Sequence, residues 1–207
     1  MSPGPCCRYT GMIYTGASVS LDGYIAGPNE SGFDLLFQWY GNGDVELPST
    51  HPDLQFRVSE TSARVMRVML EQTGVFVVGR RLFDLTNGWG GIHPLDKPIV
   101  VVTHSVPEDW VRGHPDAPFT FVTDGLERAL EVAQEIAGDK HVGANGGTIA
   151  TQCLELGVLE EVWADVVPVV LGDGVPFLKP ARPYSLEGPL SITEGNRVTH
   201  TRYKVAY

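Results

Sequence analysis

Short runs of β-branched and other apolar residues alternate with segments of helical spacing along most of the chain, and this alternation limits the possible folds more than any single motif. The runs lie at 12–20, 75–79, 98–104, 119–123 and 141–144. Each has the length and β-branched content of a buried strand. Between them, Thr61 to Gln72, Leu126 to Ala137 and Thr148 to Leu156 repeat their apolar residues every three or four positions, as one face of a helix does. Arg80-Arg81 opens a further helix directly after the strand ending at Gly79. Ser59 and Asp124 are expected to cap two helices, with Gly74 and Gly138 ending them. Strand followed by helix in repetition predicts an α/β fold, a mainly parallel sheet with helices on both faces.

The final fifty residues break the pattern. EEVWADVVPVVLG (160–172) and NRVTHTRYKVAY (196–207) are extended, with no helical spacing between them. Val198, His200, Arg202 and Lys204 alternate with Thr199, Thr201, Tyr203 and Val205, the period of a half-exposed strand. An antiparallel hairpin at the C-terminal side of the parallel sheet follows. The stretch from Gly27 to Asp53, rich in Gly, Pro, Asn and Asp, reads as a long loop of the kind that carries function. Residues 1–10, with Pro3 and Pro5, read as a loose extension, and 11–207 as a single domain.

Composition narrows the partners. Fifteen Lys and Arg against 25 Asp and Glu give a formal charge of −10. That charge opposes the phosphate attraction on which nucleic-acid binding depends. Absence of a long apolar run argues against a membrane span, and Cys6, Cys7 and Cys153 have neither disulfide-framework nor metal spacing. A cytoplasmic protein that holds no metal is the expectation.

Candidate site residues gather where strands run into turns. GANGGT (143–148) joins a strand to a helix, so its glycines serve either as a tight turn or as a cradle for a phosphate at the helix N-terminus. It is not the dinucleotide fingerprint GxGxxG. Arg80-Arg81 puts two guanidiniums against a helix N-terminus, which a bound anion would compensate. Thr103, His104 and Ser105 offer hydroxyls and an imidazole after the third strand, and Asp22-Gly23 follows the first. Asp22 reads either as a turn residue or as a polar anchor and proton source. In a parallel sheet these strand ends share one edge, where one extended phosphorylated ligand accounts for them together. Phe33, Trp39, Tyr40 and Phe177 are candidates for an aromatic wall against a planar substrate.

SLDGYIAGPN, VFVVGRRLFD and GGTIATQCLELGVLEEVWADVVPVVLGDGVPFL together resemble the dihydrofolate reductase-like family, which includes the reductase domain of the riboflavin-biosynthesis deaminase-reductase. The likeness spans about 12–206. It implies a three-layer, mixed, mainly parallel sheet, NADPH as hydride donor and a homodimer. By position it implies that Gly79, Arg80, Arg81, Thr103, His104 and Ser105 hold the adenosine phosphate end. Gly143, Asn145, Gly146, Gly147, Thr148 and Ile149 would hold the pyrophosphate, and Ala17, Ser18 and Ile25 would cover the nicotinamide. Asp22 would lie beside the substrate, for which the aromatic candidates named above, Trp39 and Phe177 among them, are a separate reading from the residues.

Two departures stand out: Tyr24 follows Asp22-Gly23 where the riboflavin reductases carry a basic residue, and no deaminase segment accompanies the domain. Asp53 has a setting superficially like that of the acid in true dihydrofolate reductases, but it lies upstream of the first long helix. The expected activity is NADPH-dependent reduction of a pterin or aminopyrimidine-like heterocycle, or of a carbonyl compound. The alternatives are a non-catalytic nucleotide or drug-binding protein of the same fold, and dihydrofolate reduction proper.

Overall fold

The computed structural model describes residues 11–51 and 54–207. The expected N-terminal extension, with Cys6 and Cys7, and Asp53 lie outside the described residues.

In chain order the strands are β1 (Ile13–Ser20), β2 (Tyr24–Ala26), β3 (Val45–Leu47), β4 (Phe56–Val58), β5 (Thr73–Gly79), β6 (Ile99–Val102), β7 (Phe119–Val122), β8 (His141–Asn145), β9 (Glu161–Val167), β10 (Val175–Pro176), β11 (Ser185–Gly195) and β12 (Val198–Ala206). The helices are α1 (Phe33–Leu36), α2 (Glu60–Gln72), α3 (Arg80–Thr86), α4 (Glu108–Gly113), α5 (Leu126–Ala137) and α6 (Thr148–Glu155). One large sheet has the order β11-β12-β9-β1-β8-β5-β6-β7. From β9 to β7 all neighbours are parallel. β12 and β11 are added antiparallel, as the alternation at 196–207 predicts.

The sheet divides the core by strand parity. Val75, Val77, Val100, Val122, Val142 and Ala144 point to one face and are packed by Leu126, Leu130 and Ala133 of α5 and by Cys153 and Leu154 of α6. Val78, Ile99 and Val101 point to the other, against Phe83 of α3 and the ring of Trp110 in α4. Val75, Val77, Val100 and Ile99 are completely buried. Burying each such side chain contributes about 1.5–3 kcal/mol. A third cluster, with Trp39, Phe56, Val58, Met66, Val167 and Val198, packs α2 and the β3–β4 hairpin over the β9–β12 end of the sheet. The result is the expected three-layer α/β architecture.

Local signals were partly decisive. Ser59 caps α2, its Oγ accepting from the Ser62 N–H at 3.2 Å. Gly138 ends α5 at φ 61. Asp124, by contrast, is not the cap of α5: Gly125 takes that position at φ 93, and no side chain caps the helix. Gly74 does not end α2 either, because the helix passes straight into β5 at Thr73. Gly74 lies inside the strand, where a Cβ would stand 2.8 Å from the Ala137 Cα, so its smallness admits the end of α5. The stretch expected as a long loop is instead largely ordered into short elements over its described residues: 3-10 turns at Pro28–Glu30 and Gln38–Gly41, α1 and β3. The eleven-residue strand β11 was not legible, since no apolar alternation marks a strand exposed on both faces. Among the described residues no helix is long and apolar enough to cross a membrane.

Candidate functional site

β1 lies between β8 and β9, so the chain leaves β8 on one side of it and returns on the other. Such a reversal opens a crevice at the carboxyl ends of the strands. There a cavity of about 770 Å³ is lined by Ala17 and Ser18 of β1, Ile25 of β2, Gly79 and Arg81 at the β5–α3 junction, and Asn145, Gly146, Gly147, Thr148 and Ile149 at the β8–α6 junction. Three separate sequence segments therefore converge on one site.

The α6 end of this cavity is shaped by glycine. Gly147 is the N-cap at φ 80 and ψ −131, and its N–H donates to the Phe177 carbonyl at 2.9 Å. A Cβ on Gly146 would stand 3.1 Å from both Ile25 Cδ1 and a Phe177 ring carbon, so the turn is closed behind by side chains. The first N–H groups of a helix have no partner within it, and here they follow directly on the cavity wall. Gly143 lies upstream within β8. It faces the opposite side of the turn, because the Phe76 ring would come 2.5 Å from its Cβ.

Arg80 joins α3 to the turn after β6. Its Nη1 donates to the Ser105 carbonyl at 3.0 Å and to Thr103 Oγ1 at 3.4 Å, and its Nε donates to Asp84 at 2.6 Å. Thr103 is buried and His104 exposed, and the turn lines neither cavity described here. Arg81 is mostly exposed and pairs with Glu30. The external anion expected to offset both guanidiniums is therefore not required, since Asp84 and Glu30 already do so.

A second cavity of about 510 Å³ adjoins the first and shares Ala17, Ser18, Tyr40, Trp89, His93 and Asn145 with it. It runs beneath α2 along the sheet face, walled by Tyr14, Phe76, Gly143 and Trp163. Trp163 stacks on Tyr14 at 3.9 Å and carries the Arg202 guanidinium at 4.3 Å on its ring. Arg202 is held by Glu161 at 2.7 Å. Burial pushes the Tyr14 phenol up, and burial and then the Asp165 charge do the same for Tyr40, so both stay protonated. Burial also pushes the His93 imidazole down to about 4. Its Nδ1 accepts the Leu95 N–H at 3.2 Å, leaving the proton of the neutral ring on Nε2. Asp165 and His200 complete the polar lining: His200 Nδ1 and Asp165 Oδ1 are 2.6 Å apart, and His200 Nε2 and Ser62 Oγ 2.9 Å apart.

Several expected roles change. Asp22 lines neither cavity. Its exposed carboxylate accepts from Ser20 Oγ at 2.6 Å, from the Gly172 N–H at 2.7 Å and from the Leu171 N–H at 3.1 Å. The Ser20 hydroxyl, and then the backbone N–H groups, hold it below the usual carboxylate range. It is a clip between two loops, kept ionised, and the opposite of a general acid with a raised pKa. Trp39 is 1% exposed and donates its Nε1–H to Ser18 Oγ at 2.9 Å. Phe177 is buried behind Gly146. Both are core residues rather than substrate walls. Phe33 and Tyr40, named with them in the sequence, do line the larger cavity, together with Phe37 and Trp89. Asp165, His200, Arg64 and His93 were not singled out by the sequence. The one available signal was that Asp165 and His200 occupy inward positions of two alternating strands, and only the register pairs them.

No protein-family model matches the chain, and no curated protein matches it in sequence. Solved structures do match. A protein described as a riboflavin biosynthesis protein of Shewanella sp. PV-4 has a TM-score of 0.62 at 19% identity, over 95% of this chain and 99% of that one. The riboflavin biosynthesis reductase of Saccharomyces cerevisiae has a TM-score of 0.58 at 11% identity, covering 95% and 90%. Dihydrofolate reductase of Enterococcus faecalis, complexed with NADP(H), has a TM-score of 0.54 at 13% identity, covering 96% and 99%. With the strand order and the cleft described above, this likeness identifies the chain as having the dihydrofolate reductase-like fold, of the type found in the riboflavin biosynthesis reductases.

Proposed function

We infer that the protein is an NADPH-dependent reductase that passes a hydride to a small planar heterocycle of the pterin or aminopyrimidine kind, or to a carbonyl compound. The observation that carries this reading is the adjacency of two cavities, one edged by the glycine turn and the helix N-terminus, the other walled by aromatic rings. The fold is shared with a dihydrofolate reductase complexed with NADP(H) and with a riboflavin biosynthesis reductase, which supports the same reading. NADPH, when bound, would supply the hydride.

The chain's own residues would bind and orient. Gly146, Gly147, Thr148 and Ile149 suit a diphosphate, since backbone N–H groups at a helix N-terminus attract anions. Arg80, Arg81, Thr103, His104 and Ser105 are proposed for the adenosine phosphate, which would reach them from the Arg81 edge of the larger cavity and replace Asp84 and Glu30 as partner of the two guanidiniums. Ala17, Ser18 and Ile25 would cover the nicotinamide, with Asn145 between it and the phosphates. The inner cavity would receive the flat ring of the substrate, flanked by Tyr40 and Trp89, which line both cavities, while Phe33 and Phe37 would exclude water from the larger one. The neutral His93 would donate its Nε2–H to an oxygen or nitrogen of the substrate without releasing it, polarising the bond to be reduced, and the proton that completes the reduction would come from solvent water.

A second reading, a binding protein without turnover, draws on the commitment of the Asp22 carboxylate to a loop clip, which leaves no acid at the position expected from sequence. One experiment separates the two. NADPH at about 100 times its dissociation constant stabilises the fold by roughly 2.7 kcal/mol, readable as a rise in Tm, with NADH weaker. Replacing Arg80 and Arg81 with Ala weakens NADPH more than NADH. NADPH oxidation is then followed across pterins, including dihydrofolate, aminopyrimidines and quinones. Absence of any NADPH shift removes the reductase reading, and a shift without turnover of any compound favours the binding protein.

A homodimer is part of the same proposal. β11 is an edge strand with Leu190 51% and Ile192 61% exposed. An open edge of that length is normally covered.

A further inference from the structure

Asp165, His200, Ser62 and Ser59 form one continuous hydrogen-bonded row whose contacts fit a single tautomer of the histidine. Ser59 Oγ donates to Ser62 Oγ at 3.1 Å, so the Ser62 hydrogen is free to go to His200 Nε2 at 2.9 Å. An imidazole accepting at Nε2 carries its proton on Nδ1, which donates to Asp165 Oδ1 at 2.6 Å. The order of residues is that of a nucleophilic Ser–His–Asp set, but the exposure is reversed. Ser62 is 1% exposed, and a Cβ on Gly195 would come 2.3 Å from its Oγ, so no substrate reaches that hydroxyl. Asp165 is the end that opens outward: its side chain is 30% exposed, it lines the cavity beneath α2, and its Oδ2 has no hydrogen-bond partner among the described residues.

We propose that Asp165 is the substrate-facing carboxylate of this cavity, accepting an N–H of a planar amino-substituted ring on Oδ2, and that His200 and Ser62 are positioning residues that fix it through Oδ1. This rests on the reading above that the inner cavity receives the substrate. The physical case is that one oxygen is immobilised by a buried donor while the other is free, in a cavity that Tyr40 and Trp163 also line. A carboxylate so held loses little freedom when a ligand N–H arrives, and charge-assisted N–H···O bonds are the stronger kind. Trp39 locks the relay from the side, its ring meeting that of His200 edge-on at 5.2 Å. Arg202, the neighbouring cation on β12, is already engaged by Glu161 and does not compete.

The test uses the full chain and 2,4-diaminopyrimidine as probe, with binding read by calorimetry and the NADPH-induced change in Tm as an independent control. Wild type binds the probe, and Asp165→Asn weakens it on the order of tenfold or more, the loss of a charge-assisted contact. His200→Ala weakens it less. His200→Asn, whose side-chain amide can occupy the place of Nδ1–H, recovers part of the loss, as a purely structural role for the ring would not. In wild type, the ¹⁵N resonances of His200 report a neutral Nδ1–H ring and shift when the probe is added. Failure of wild type to bind, equal binding by Asp165→Asn, or His200 resonances unmoved at saturation overturns the proposal. Asn at 200 no better than Ala overturns the positioning role. Probe binding that depends on Asp165 in a protein showing no NADPH shift keeps the anchor and removes the reductase reading instead.

Discussion

His93 shows how far one half-buried side chain can be taken from its ordinary chemistry. Its imidazole, at the junction of the two cavities, is pushed by burial down to about 4 from 6.5. A base with a depressed folded-state pKa takes up its proton more readily in the unfolded chain. Stability from this residue is therefore intact above about pH 6.5 and falls as the pH drops toward 4, by up to about 1.4 kcal/mol per unit. Urea unfolding at pH 7 and pH 4.5 measures the decline, and His93→Asn should flatten it. Cys153 is displaced in the other direction, its thiol pushed up to about 12 by burial on the inner face of α6, which fits a packing role and not a nucleophile. Neither shift was legible in the sequence, because each depends on what other segments stack over the residue. Asp22 teaches the same point from the opposite side. An Asp-Gly pair after a strand looks alike whether its carboxylate serves a ligand or a loop, and only the arrival of Leu171 and Gly172, far along the chain, decides for the loop.

Elements were legible where they satisfy themselves locally. The bounds of α5 agree with its apolar spacing because its inward face, Leu126, Leu130 and Ala133, is complete within twelve residues. For α2 the sequence supplied the cap as well, and Ser59→Ala should cost about 1 kcal/mol in urea-derived stability through the lost bond to the Ser62 N–H. Ser59→Asp, which restores an acceptor, should recover most of it. An element that borrows its stability from neighbours gives no such signal. β11 has ladder bonds to β12 and almost no buried side chains, so its composition reads as loop. The turn between β8 and α6 is intermediate: its glycines announced a special backbone, but the reason for Gly146, the Ile25 and Phe177 side chains against it, comes from two distant segments.

At the scale of the whole molecule the open β11 edge carries the oligomer prediction. Sedimentation should give twice 22.5 kDa, and Ile192→Lys should shift the population toward monomer with little change in the stability of the subunit. A monomeric wild type at all concentrations would remove the dimer. Adjacent residues were enough to give the class of fold, the positions of the buried strands and the glycine turn that edges the larger cavity, since apolar runs, helical period and glycine at a strand end are local properties. Tertiary structure alone decided which carboxylate faces the cavity. Asp165 and His200 are thirty-five residues apart and meet only because β12 returns antiparallel to β9 in a register that sets them opposite each other. Register follows from how whole faces pack, and no local window of sequence contains it.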